Sequence, residues 1–139
     1  MKTTNKHKTR KILMACCCVF LLLGFCACAL SKQTTTTDLS GQWSCSEGSG
    51  AVYSVRITYD RKNINIAHIQ NFHLLGNEIL VLCVIENRVL KIPKQEVLQG
   101  ILRIEGLGII KNNRYIELVY TCCDGAQTDT ITAKLFIVS

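Results

Sequence analysis

Tyr53-Ser54-Val55-Arg56-Ile57-Thr58-Tyr59 alternates large apolar and polar side chains without a break. Successive residues of an extended strand point to opposite faces, so Tyr53, Val55, Ile57 and Tyr59 share a buried face while Ser54, Arg56 and Thr58 face water. Upstream, Trp43 and Cys45 fall on one face of a shorter strand that ends at Glu47-Gly48-Ser49-Gly50. Downstream, Asp60 to Asn63 form a turn, Ile64 and Ile66 open a third strand, and the phase changes at Ile69 and Phe72 ahead of the loop His73 to Asn77. Ile79 to Ile85 is almost wholly apolar and reads as a strand covered on both faces. Glu86-Asn87 is a hairpin turn with Asn87 at positive φ. Val89 to Ile92 follows, and Pro93 ends that strand or places it on an edge, because proline has no N–H for the ladder. Ile101 to Ile110, Tyr115 to Cys122 and Thr130 to Ile137 complete the set, with Gly106 and Gly108 marking a bend or a close backbone approach.

The turns are short enough that consecutive strands must pair antiparallel. The expected fold is therefore all-β: about eight short strands in a meander, curled into a closed or nearly closed small barrel that leaves no free edge. A two-sheet sandwich of the same strands is the alternative. Gly41-Gln42-Trp43 at the first strand is similar to the G-x-W of lipocalin-like, or calycin-like, β domains.

The N-terminal 27 residues read differently. Lys2, Lys6, Lys8, Arg10 and Lys11 form a basic region, an apolar run follows, and Phe25-Cys26-Ala27-Cys28 closes it. This resembles the lipobox of bacterial lipoproteins, whose cysteine takes a diacylglyceryl group before cleavage on its N-terminal side. The resemblance implies residues 1–27 as signal peptide, Cys28 as the lipidation site, and 28–40 as a flexible, threonine-rich tether to a domain spanning 41–139. The uncharged run Ile12 to Leu30 would also suffice for an uncleaved membrane anchor, and Ala27-Cys28-Ala29 fits ordinary signal peptidase. Gly41-Gln42-Trp43, Asn71-Phe72, Ile92-Pro93-Lys94-Gln95, Gly106-Leu107-Gly108 and Asp129-Thr130 together resemble a type of small lipoprotein found in Bacteroidetes-like bacteria. That implies a bacterial cell envelope location, lipid-anchored to a membrane. The absence of acidic residues soon after Cys28 favours the periplasmic face of the outer membrane over the cell surface. Asp129-Thr130-Ile131 is also similar to an O-glycosylation acceptor of that group; an ordinary strand threonine is the other reading.

The formal charge of +6 comes from sixteen Lys and Arg against ten Asp and Glu. Five of the basic residues and none of the acidic ones precede Cys28, so the rest of the chain is close to neutral, with no basic stripe for nucleic acid. Membrane contact through the covalent lipid, and a protein, glycan or small apolar ligand, are the expected partners. Four cysteines lie beyond the signal and Cys28: Cys45, Cys83, Cys122 and Cys123. In a closed sheet the first strand meets the last strands, which makes Cys45–Cys122 a candidate disulfide, with Cys123 as another partner for Cys45. Buried free thiols are the competing reading.

Chemistry is sparse. His68 and His73 bracket Asn71-Phe72 without HxH, HExxH or CxxC spacing, so no metal site is expected. Glu105 and Glu117 on neighbouring strands could converge as an acid and base, but exposed strand positions explain them more simply. Without a nucleophile motif the chain reads as no enzyme and needs no cofactor. Trp43, Tyr53, Tyr59 and Tyr120 could line a ligand cavity, since aromatic bodies with polar tips suit such pockets; they could equally fill the core. The function expected is a non-enzymatic binding or accessory module, with a lipocalin-like binder of a small apolar ligand as the alternative.

Overall fold

A computed structural model describes residues 37–138. Residues 1–36, including the expected signal and Cys28, lie outside the described residues. Eight strands, β1 (Gly41–Glu47), β2 (Val52–Tyr59), β3 (Ile66–Gln70), β4 (Leu80–Glu86), β5 (Val89–Val97), β6 (Leu102–Asn112), β7 (Tyr115–Cys123) and β8 (Thr128–Ile137), follow one another with only two single 3₁₀ turns, Phe72–Leu74 and Leu98–Gly100, between them. Each pairs antiparallel with the next, and β8 returns to β1 through Trp43↔Ile137, Cys45↔Leu135 and Glu47↔Ala133. The sheet is a closed barrel rather than a sandwich.

Alternation places the core. Trp43, Cys45, Val55, Ile57, Ile69, Val81, Cys83, Leu90, Ile104, Ile116, Tyr120 and Leu135 are all buried, while their strand neighbours face out. The barrel has a proximal end, where the described chain begins and the β2–β3, β4–β5 and β6–β7 turns lie. Its distal end carries the β1–β2, β3–β4, β5–β6 and β7–β8 loops.

Gly106 stands opposite Tyr120, and a Cβ there would lie 2.6 Å from the Tyr120 Cβ and 2.9 Å from the Val119 carbonyl oxygen. The glycine lets the two backbones close around the tyrosine ring. Asn87 and Arg88, at φ 48° and 67°, make the β4–β5 hairpin. The two-residue loop is therefore Asn87-Arg88, one position beyond Glu86-Asn87. Arg88 accepts this conformation because its guanidinium donates to the carbonyls of Ile110 (3.0 Å) and Lys111.

Four expectations need correction. Thr37 to Ser40 are not free tether: Leu39 is fully buried, its carbonyl accepts from Trp43 Nε1 (2.8 Å), and its N–H donates to the Tyr59 hydroxyl (3.2 Å), which itself donates to the Thr37 carbonyl (2.9 Å). The ordered domain thus starts ahead of Gly41. The third strand opens at Ile66, leaving Ile64 exposed in the turn. Pro93 does not end β5, which continues to Val97 against β6 through an irregularity between Ile92 and Gln95. Finally, Cys45 and Cys122 are free thiols, as are Cys83 and Cys123. Closure does bring β1 to β8, but Cys45 pairs with Leu135 whereas Cys122 pairs with Asp129, about 20 Å further along β8 and one strand beyond it. A bridge needs Cα atoms within about 7 Å, so register forbids this one.

Candidate functional site

Period-two alternation from Trp43 and Cys45 carries Glu47 to the same inner face, at the distal end of β1. A carboxylate there must be satisfied by donors, because a bare buried charge is far too costly. Three converge on Oε1: the Tyr53 hydroxyl at 2.5 Å, the Tyr120 hydroxyl at 2.6 Å and His73 Nδ1 at 3.1 Å. Ser49 Oγ lies 3.4 Å from Oε2. Burial pushes the Glu47 carboxyl up, but hydrogen bonds from Tyr120, Tyr53 and His73 outweigh it and leave the group below the usual glutamate range. Burial, with hydrogen bonding to a charged neighbour, pushes both tyrosines well above theirs.

An ionised carboxylate only accepts, which fixes the direction of each bond. Tyr53 donates to Glu47 and accepts the backbone N–H of His73 (3.0 Å). Tyr120 also donates to Glu47, with His73 Nδ1 2.7 Å from its oxygen. Nδ1 therefore carries a proton and donates toward the Tyr120 and Glu47 oxygens. The His73 and Tyr120 rings meet edge to face at 5.7 Å, and Phe72 packs on Tyr120 at 4.7 Å.

The loop that delivers His73 is conformationally unusual. Asn71, His73 and Leu74 sit at φ 54°, 52° and 59°, a left-handed region that side chains with a Cβ seldom occupy. Asn71 holds the loop by donating from Nδ2 to the Ser54 carbonyl (2.8 Å) and accepting the Gly76 N–H (3.1 Å). Leu98 and Gln99 in the β5–β6 loop are left-handed too, at φ 51° and 56°. Strain of this kind concentrates at functional loops; among the described non-glycine residues it recurs at the proximal end only in the Asn87-Arg88 hairpin.

The aromatic residues expected at a ligand cavity divide. Trp43, Tyr53 and Tyr120 fill the core, the last two as ligands of Glu47, while Tyr59 pins the chain at the proximal end. His68 does not join His73; it lies on the outer side of β3. Glu105 and Glu117 do not converge: Glu105 pairs with Thr121, about 13 Å along β7 from Glu117. Glu117 instead bonds Lys111 (2.9 Å) and the Tyr115 hydroxyl (2.9 Å). Among the described residues no cluster of three or more His, Cys, Asp or Glu could hold a metal ion. Thr130 is exposed on β8. An outer groove of about 660 Å³ runs past Leu107, Ile109, Val119, Glu117 and Lys134.

The Glu47–His73 pair escaped sequence reading because Glu47 abuts Gly48-Ser49-Gly50 and reads as turn. Its parity with Trp43 and Cys45 was the available signal.

The thiols separate by environment. Burial raises Cys45 to about 11 and Cys83 to about 12, whereas hydrogen bonds from Thr128 and the Gly125 N–H lower half-buried Cys123. Since the thiolate is the reactive form, iodoacetamide at pH 8 should modify Cys123 first and leave Cys45 and Cys83 until the protein unfolds. Mass mapping that found Cys45 modified as fast as Cys123 would contradict this arrangement.

No family model matches the chain, and no curated protein matches it. Among solved structures it is similar to a redesigned β-barrel, with 9% sequence identity over 73% of this chain and 92% of that one and a TM-score of 0.47.

Proposed function

We propose that this chain is a lipid-anchored binding module of the bacterial cell envelope, held through Cys28, with its recognition surface at the distal end of the barrel. The observation that carries the reading is the polarity of the barrel. The chain enters at Leu39, only a short stretch after Cys28, whereas the left-handed β3–β4 and β5–β6 loops, and buried Glu47 with its partner His73, lie at the opposite end. A lipid on Cys28 tethers the module proximally and leaves that end free for a partner. Large side chains from Trp43, Phe72 and Tyr120 occupy the interior, which favours recognition on the loops and outer wall over capture of a ligand inside.

The test is fatty-acid labelling in a bacterium that processes lipoproteins. Labelled palmitate should enter the wild-type chain, and the mature N-terminus should be Cys28. Cys28→Ala should abolish the label and release the protein from the membrane fraction, because stable attachment requires the acyl chains. Persistent label in the variant, or a mature N-terminus at Ser31 or beyond, would reject the anchor.

A further inference from the structure

The wall of the barrel has its shortest ladder between β4 and β5, a seam in the sheet. The β4–β5 ladder consists of Val84↔Lys91, Ile85↔Leu90 and Glu86↔Val89 only, although β4 starts at Leu80 and β5 runs on to Val97. Extending that register would set Leu82 against Pro93, which has no N–H to give. The Gln95 carboxamide stands in for the missing backbone: Oε1 accepts the Leu82 N–H (2.9 Å), and Nε2 donates to the carbonyls of Leu82 (2.8 Å) and Pro93 (3.1 Å). A single side chain thus occupies the place of a peptide group between two strands. The bulge between Ile92 and Gln95 on the β6 side puts Gln95 in position to do so.

We infer that this seam is a strand-addition site, whose occupant is an extended polypeptide segment that displaces the Gln95 carboxamide and pairs with Leu80–Cys83 and Pro93–Val97. Three observations favour that chemistry. The Leu82 and Pro93 backbone groups facing the seam have the donor and acceptor pattern that another peptide strand satisfies, which is how main-chain recognition works at sheet edges. The β4–β5 ladder is the shortest in the barrel, with three residue pairs against four in β2–β3 and five or more elsewhere. The distal mouth of the seam is flanked by Leu74, Leu80, Leu98 and Ile101, exposed at 61%, 51%, 36% and 68%. Apolar side chains on both sides of an unpaired edge suit the alternate side chains of an incoming strand. The two distal left-handed loops border this mouth, at the start of β4 and the end of β5.

This rests on the binding role proposed above and names its partner, but it does not depend on Cys28. Loss of fatty-acid labelling tests the anchor; backbone protection tests the seam. The experiment is amide hydrogen exchange by mass spectrometry on the full chain in detergent, with a blocked eight-residue peptide of alternating threonine and valine as probe. At millimolar peptide, exchange across 80–83 and 93–97 should slow roughly fivefold, as for a site about four-fifths occupied, with β1, β2 and β7 unchanged. Gln95→Ala, which removes the competing carboxamide, should lower the peptide concentration needed. Gln95→Met fills the same space without hydrogen bonds and should act likewise if the alanine variant fails to fold. The same peptide with alternate amides N-methylated should protect nothing. No slowing in the wild-type chain, slowing elsewhere only, or equal protection by the methylated peptide would overturn the inference.

Discussion

Replacing Trp43 with Ala should cost about 4 kcal/mol of folding stability and lower the melting temperature by ~20 °C, read by urea denaturation and calorimetry on the soluble chain beginning at Ala29. The indole is fully buried on β1, the strand that closes the barrel against β8, and its Nε1 donates to the Leu39 carbonyl. Truncation therefore empties the largest core site and unpins Thr37–Ser40 from the barrel. Total stability of a domain this size is roughly 5–15 kcal/mol, so the loss takes a large share of it. Trp43→Phe should cost about half as much, since it keeps most of the buried ring and loses the hydrogen bond. A Trp43→Ala loss below about 1 kcal/mol would mean that the core is not organised around this side chain.

The second large effect belongs to Glu47. Glu47→Leu strands the Tyr53 and Tyr120 hydroxyls and His73 Nδ1 without their shared acceptor. Each buried donor left unpaired costs about 1–3 kcal/mol, so a loss of about 4 kcal/mol is expected; Glu47→Gln, which keeps one acceptor oxygen, should lose less. The pH dependence separates charge from shape. Although burial opposes ionisation, the hydrogen bonds hold the Glu47 carboxyl below the usual range. Its contribution is therefore complete above the unfolded value of about 4.3 and is lost as pH falls through the lower folded value. Tyr53 and Tyr120 are shifted the other way, chiefly by burial, so their contribution holds up to the unfolded value of about 10 and declines as pH rises beyond it. Stability of the wild-type chain should fall on both flanks, while Glu47→Gln flattens the acid flank. Identical acid profiles for wild type and variant would show that Glu47 does not carry that charge.

The strand pattern was legible because alternation is a local signal. Tyr53 to Tyr59 reads directly as β2, and turn residues and parity place the other strands, though not the start of β3 or the end of β5. Closure was legible from strand number and short turns. What escaped depends on contacts distant in sequence. Leu39 stands alone in a polar stretch, and only Trp43 and Tyr59 reveal that it is core. His73 becomes more than a loop histidine only when β1 and β7 bring Glu47 and Tyr120 beneath it. Pro93 announced a broken ladder, but the role of Gln95, two residues on, required knowing that Leu82 lies across from it. The Cys45–Cys122 bridge failed on register, which sequence parity specifies for faces and not for positions along a strand.

The meander also sets an order of assembly. Seven of the eight strand pairings join neighbours in sequence, so each hairpin can form as soon as its second strand is available, with little loop entropy to overcome. The exception is β1 with β8, which unites Trp43 with Ile137 at the far end of the chain. During synthesis from the N-terminus, β1 therefore waits with one flank unsatisfied until the last ten residues of the barrel have emerged. A ribosome stalled before Thr128 would hold a nearly complete sheet with two open margins, the form most exposed to self-association, and release of the final strand is the event that removes both margins at once.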